Sequence, residues 1–140
     1  MTTATAPDDV IRELAPTGVL RAGINLSNFL LVTGKAENGD PQGVSPDVAA
    51  EIAKRLGVPV TYKTYPTPGE LADDAAIGGW DIGNIGAEPQ RAETIAFTAA
   101  YAEIEATYLV PAGSPIQSLA DVDKPGISIA VTGRAAYGNA

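Results

Sequence analysis

The chain has 140 residues, 45% of them hydrophobic, and a formal net charge of −8, so it can bury one core but offers nucleic acid or an anionic membrane little attraction. It has neither cysteine nor histidine, which excludes disulfides, thiolate nucleophiles, zinc-thiolate sites and the usual general base. Neither a metal nor a cofactor is expected.

The opening residues MTTATAPDDVIRELAPTG carry acids early and lack an uninterrupted apolar run, so neither a secretory signal nor a transit peptide is expected there. Val10, Ile11 and Leu14 give a short amphipathic helix that stops at Pro16 and Gly18, a lead-in over residues 1–18. Val19 to Asn25 reads as a buried strand. Leu26 to Gln42 is loop-like, with Phe29 to Val32 as an apolar interruption and Asn38-Gly39 closing a small hairpin.

Pro46 to Leu56 is the clearest helix, with Ser45 as N-cap, Asp47 in the first turn, Lys54 and Arg55 in the last, and Gly57 beyond. Its buried stripe is expected to be Val48, Ile52 and Leu56. Val60 to Tyr65 alternates as a strand, and Thr67-Pro68-Gly69-Glu70 matches a capping box opening a helix that runs to Gly78-Gly79. Ile82 and Ile85 mark another short strand, after which Glu88 and Pro89 read as N-cap and first residue of a helix. Further strands are expected over Ala106–Pro111 and Ser128–Val131. Strands alternating with helices imply an α/β fold with a mostly parallel sheet flanked by helices.

Arg91 falls in the first turn of the helix opened by Glu88. A cation there faces the positive end of the helix dipole, at a cost of a few tenths to about 1 kcal/mol, so it calls for an anion. Glu88, three residues earlier, is the local candidate, and a ligand is the other. Trp80 and Asp47 read as packing and helix-terminal electrostatics, and Phe29, in a loop, reads as a plug over the core. The paired acids Asp73-Asp74 and Glu103/Glu105 read as solvent-facing, which makes a carboxylate-pair enzyme or calcium site a poor fit.

Five segments in order, LRAGIN, GVSPDVAAEIAKRLG, GGWDIG, EPQRAETIAFTAAY and SLADVDKPGISIAVTGRAAY, resemble the bacterial extracellular solute-binding proteins of family 3, the type 2 periplasmic binding proteins that serve amino-acid ABC importers. The resemblance runs from Val19 to Tyr137. It implies lobe one over residues 19–112 and a hinge with the incomplete start of lobe two over 113–140, so a truncated fold is expected.

It also implies a ligand, a small polar amino acid or related carboxylate, bound without catalysis. Arg91 matches the arginine that clamps the ligand carboxylate, for which a guanidinium fork is suited. Phe29 would supply an aromatic wall and Asn28 polar contacts. Backbone from Asn84 to Ala87, Gly86 included, would form the floor, and Arg134 would reach in from the second lobe. Glu88 departs from the family pattern, which commonly has a threonine there, and the stretch from Asp81 to Arg91 is about two residues short. The resemblance further implies an ABC permease partner and a periplasmic location, although the opening residues suit a cytoplasmic chain or one whose signal has been removed. Two other classes remain open: a dehydratase-like enzyme on the same fold, and a cytoplasmic sensor or degenerate single lobe. Exposed strand edges would favour a homodimer, including one formed by exchange of the C-terminal segment.

Overall fold

The computed structural model describes residues 6–138. Helix α1, Asp8–Leu14, has Asp8 and Asp9 in its first turn and Arg12 in its last, both in accord with the helix dipole. Its Val10, Ile11 and Leu14 pack against Leu20, Ala53 and Leu56, so the lead-in is docked on the core.

Strand β1, Leu20–Asn25, is central. It pairs in parallel with β4, Val60–Tyr65, and with β5, Ile82–Asn84, giving the order β4-β1-β5. Between β1 and β4 a small hairpin forms from β2, Gly34–Lys35, and β3, Pro41–Gln42. Asn38-Gly39 lies in its loop as expected, with Gly39 at φ 93°.

Helix α2 spans Val44–Leu56 and ends on left-handed Gly57 at φ 72°. It starts earlier than its sequence suggests. Gly43 precedes it at φ 134°, where a Cβ would lie 2.5 Å from the Leu31 carbonyl oxygen, so only glycine fits. Ser45 therefore sits inside the helix and caps nothing. The buried face is Ser45, Pro46, Ala49, Ala53 and Leu56. Val48 and Ile52 are displaced to its flank, because the small alanines let α2 lie close against β1.

Helix α3, Pro68–Ala75, opens on Thr67, whose hydroxyl accepts from the Glu70 N–H at 3.3 Å, and ends before Gly78-Gly79. Trp80 then lies over the sheet at the paired glycines Gly23 and Gly83, where added Cβ atoms would fall 3.1 and 2.8 Å from the indole. Its Nε1–H donates to the Leu71 carbonyl at 2.9 Å. Arg21 on β1 forks onto the nearly covered Asp81 carboxylate, at 2.6 Å from Nη2 and 3.1 Å from Nε. This pair ties the start of β5 to β1. A one-turn helix α4, Pro89–Ala92, follows β5.

Beyond α4 two expectations fail. Ala106–Pro111 and Ser128–Val131 form no strands, and the one helix between them is α5, Leu119–Val122. A strand is stable only with a ladder partner, and among the described residues none lies beside either segment. Leu109 is fully exposed and Ile129 and Val131 are half exposed. The last of the described residues form a 3-10 turn, Ala136–Gly138.

Candidate functional site

Ligands of parallel α/β sheets bind beyond the carboxyl ends of the strands. Here those ends are Asn25, Tyr65 and Asn84. The Asn84 end leads through Gly86 into α4, whose first turn carries Arg91.

Glu88 caps α4, accepting from the Gln90 N–H at 3.2 Å. The cap holds the helix start and turns Arg91 inward, where its side chain is 7% exposed. Its guanidinium meets three partners. Nη1–H donates to the Gly86 carbonyl and Nη2–H to the Arg134 carbonyl, each at 2.8 Å, while Nε lies 3.3 Å from Glu88 Oε1. Burial lowers the Arg91 pKa and Glu88 opposes that shift. A guanidinium stays protonated in any case, so its charge has to be matched. With five N–H groups and these three engagements, one N–H remains on each Nη.

Arg134 enters through its backbone as well as its side chain. It is the one non-glycine residue with positive φ among the described residues, at 59°. Its own guanidinium pairs with Asp73 on α3 at 2.5 Å and donates to the Gly69 carbonyl at 3.3 Å. The hydrogen bond from Arg134 holds the Asp73 carboxyl below its ordinary value. Ala135 is buried, although most of its neighbours in the segment are exposed.

A second cluster adjoins the first. The Tyr101 hydroxyl lies 2.9 Å from Ser45 Oγ on α2 and accepts from Asn84 Nδ2 at 3.2 Å. Asn84 Oδ1 is buried with no hydrogen-bond partner. A lone buried acceptor costs about 1–3 kcal/mol, so it is a natural place for an incoming donor.

The structure thus brings Arg91, Glu88, Gly86 and Arg134 into one hydrogen-bonded group, with Asn84 in the adjoining one. Phe29 and Asn28 stand apart on the loop after β1 and make no side-chain hydrogen bond to either group. Phe29 is 78% exposed, so it plugs nothing; Val32 covers the core instead. Ser45 and Tyr101 were missed as site neighbours from sequence. Ser45 read as a helix cap, and no local signal joins it to Tyr101, 56 positions away.

Two open cavities lie elsewhere. One of about 340 Å³ sits between the hairpin and β4, lined by Leu26, Val32, Lys35 and Thr64 among others. Another of about 360 Å³ is lined by Lys63, Tyr65, Glu70, Asp73, Asp74 and Ile77. Arg91 lines neither. No group of acidic side chains among the described residues could hold a metal ion.

A parallel sheet flanked by helices, with a buried arginine after a strand end, is an α/β lobe of the type 2 periplasmic-binding-protein kind. The family model for bacterial extracellular solute-binding proteins, family 3, matches residues 21–132, and the chain belongs to that family. A solved structure of an ancestral cyclohexadienyl dehydratase aligns with a TM-score of 0.49 and 27% identity, over 59% of this chain and 34% of that one. This chain therefore spans about a third of that protein's length. No curated protein matches. No helix among the described residues is long and apolar enough to cross a membrane.

Proposed function

We propose that the chain is part of the solute-binding component of an ABC importer, working in the periplasm, and that it binds a small polar amino acid or related carboxylate without catalysis. The observation that carries this is Arg91: a covered guanidinium just past a strand end, whose Nη1 and Nη2 are met by backbone carbonyls alone. A carboxylate accepts from two such donors at once. Asn84 Oδ1, the buried acceptor without a partner, suits the ammonium of an α-amino acid. Phe29 lies bare on the loop after β1 and is proposed to cover the apolar part of the ligand once it is bound.

A second reading has its own observation in favour. Glu88 and two carbonyls already engage Arg91, which suits a structural tie in a lobe that no longer binds. Calorimetric titration of the chain and of Arg91→Ala with a panel of amino acids and acetate separates the two. Heat that vanishes in the variant supports the clamp. No heat with any ligand rejects it in favour of the tie.

The apolar surface between Ala106 and Val131 is proposed to associate with a second copy of the chain. Its Leu109 and Val131 are exposed, and they lie in segments of strand-like sequence that have no ladder partner.

A further inference from the structure

The C-terminal segment is not merely near Arg91; it occupies one of its donors. Nη2–H donates to the Arg134 carbonyl at 2.8 Å, a bond that a ligand carboxylate would compete for. What holds that carbonyl in place is not part of the ligand-binding group. The Arg134 side chain is anchored on α3, by Asp73 Oδ1 at 2.5 Å and the Gly69 carbonyl at 3.3 Å. A Cβ added at Gly69 would fall 2.9 Å from the Arg134 guanidinium carbon, so the arginine lies flat on a helix turn that only glycine leaves open. Ala135 is buried at 6% exposure, and Ala136 Cβ sits 3.5 Å from where a Cβ on Gly86 would be. Two independent anchors, an ion pair and a buried methyl, therefore pin a segment whose preceding thirty residues make few contacts with the lobe.

We propose that residues 133–138 form a latch, pinned by Asp73 and Arg134, that holds a backbone carbonyl on Arg91 in place of a ligand carboxylate and is displaced when ligand binds. The inference rests on the carboxylate reading of Arg91 given above. Its physical content is a population argument. If the donor is open only in a fraction of molecules, apparent affinity is the intrinsic affinity scaled by that fraction. The left-handed backbone at Arg134 favours opening, because a non-glycine residue at φ 59° is strained and relaxes on release. The ion pair to Asp73 opposes it. Asp73 bonds to none of the groups proposed to meet ligand, so its removal reaches Arg91 only through Arg134.

The test uses the whole chain, isotopically labelled, in the wild-type, Asp73→Asn and Arg134→Ala forms, with acetate as the minimal carboxylate probe and L-glutamine beside it. Backbone relaxation of Ala135 to Gly138 reports the latch, and an acetate titration reports Arg91. The expected result is an ordered segment in the wild type, a mobile one in both variants, and acetate binding roughly two- to fivefold tighter in the variants, the range an exposed ion pair supports. A segment already mobile in the wild type overturns the latch. So does acetate binding of equal strength in all three forms, which leaves the carboxylate reading standing. A freed segment with neither acetate nor L-glutamine binding in any form overturns the carboxylate reading together with the latch.

Discussion

Replacing Glu88 by threonine separates the two anions that can serve Arg91. Threonine still accepts from the Gln90 N–H, so the start of α4 is kept. What is lost is the carboxylate 3.3 Å from Arg91 Nε, in a pair whose side chains are 6 and 7% exposed. Removing one partner of a buried pair typically costs about 3–5 kcal/mol. Here the Gly86 and Arg134 carbonyls remain on the guanidinium, so the ligand-free cost should be lower, about 2 kcal/mol. For a chain of this size that lowers the melting temperature by roughly 8 °C.

Ligand binding moves the other way. A carboxylate accepting from Nη1 and Nη2 in place of the carbonyls would sit on the side of the guanidinium away from Nε and Glu88. Two like charges about 6 Å apart repel by about 3 kcal/mol at an effective dielectric of about 20. Halving that for the open mouth of the site leaves about 1.5 kcal/mol, or roughly tenfold tighter binding in the variant. The assay is thermal melting with and without saturating acetate and L-glutamine, backed by calorimetry. A less stable apo form that ligand rescues by more than it stabilises the wild type is the expected result. If Glu88→Thr melts at the wild-type temperature and binds no tighter, Glu88 is not the anion that matches Arg91, and the reasoning fails.

Two further outcomes are expected. The Lys124 ammonium first, then the Gln117 and Ser118 groups, holds the Asp121 carboxyl down to about 2 from its ordinary 3.8. A depressed carboxylate stabilises the fold above its unfolded value and loses that contribution as pH falls through the folded one, so the α5 turn should loosen between about pH 4 and pH 2. Carboxyl chemical shifts followed through acid titration check this, and an Asp121 midpoint near the ordinary value would refute it. For the exposed apolar segment, light scattering should show mass rising with concentration toward a dimer. A monomer at every concentration would count against the proposed self-association.

What the sequence made legible is what adjacent residues decide. The Thr67 cap, the Gly57 stop of α2 and the hairpin at Asn38-Gly39 each follow from signals a few positions apart. The Glu88 pair was legible for the same reason, at three residues' spacing. The long-range pairings were not. Arg21 and Asp81 are 60 residues apart, Arg134 and Asp73 61, and Ser45 and Tyr101 56, and only the folded chain brings them together. Trp80 was read as packing without a partner, and it lies on Gly23 and Gly83, because two glycines become a platform only once β1 and β5 are in register. The opposite error appears at Ala106–Pro111 and Ser128–Val131, where apolar, β-favouring composition suggests strands but no neighbour supplies a ladder.

Charge matching around Arg91 explains why affinity in this lobe should be a small difference. Arg91 is opposed by Glu88, and Arg134 by Asp73, so the group is electrically complete before ligand arrives. An incoming carboxylate cannot add a full ion pair. It exchanges for a backbone carbonyl on Nη2, a charge-assisted bond already made, and it meets Glu88 across the guanidinium. The gain must therefore come from groups still unsatisfied, and Asn84 Oδ1 is the one such buried side-chain atom among the described residues. A ligand that brings a donor alongside its carboxylate fills that gap, whereas a bare carboxylate does not. The physical preference of the site is thus for a zwitterion over a simple anion, and it follows from which partners are already taken.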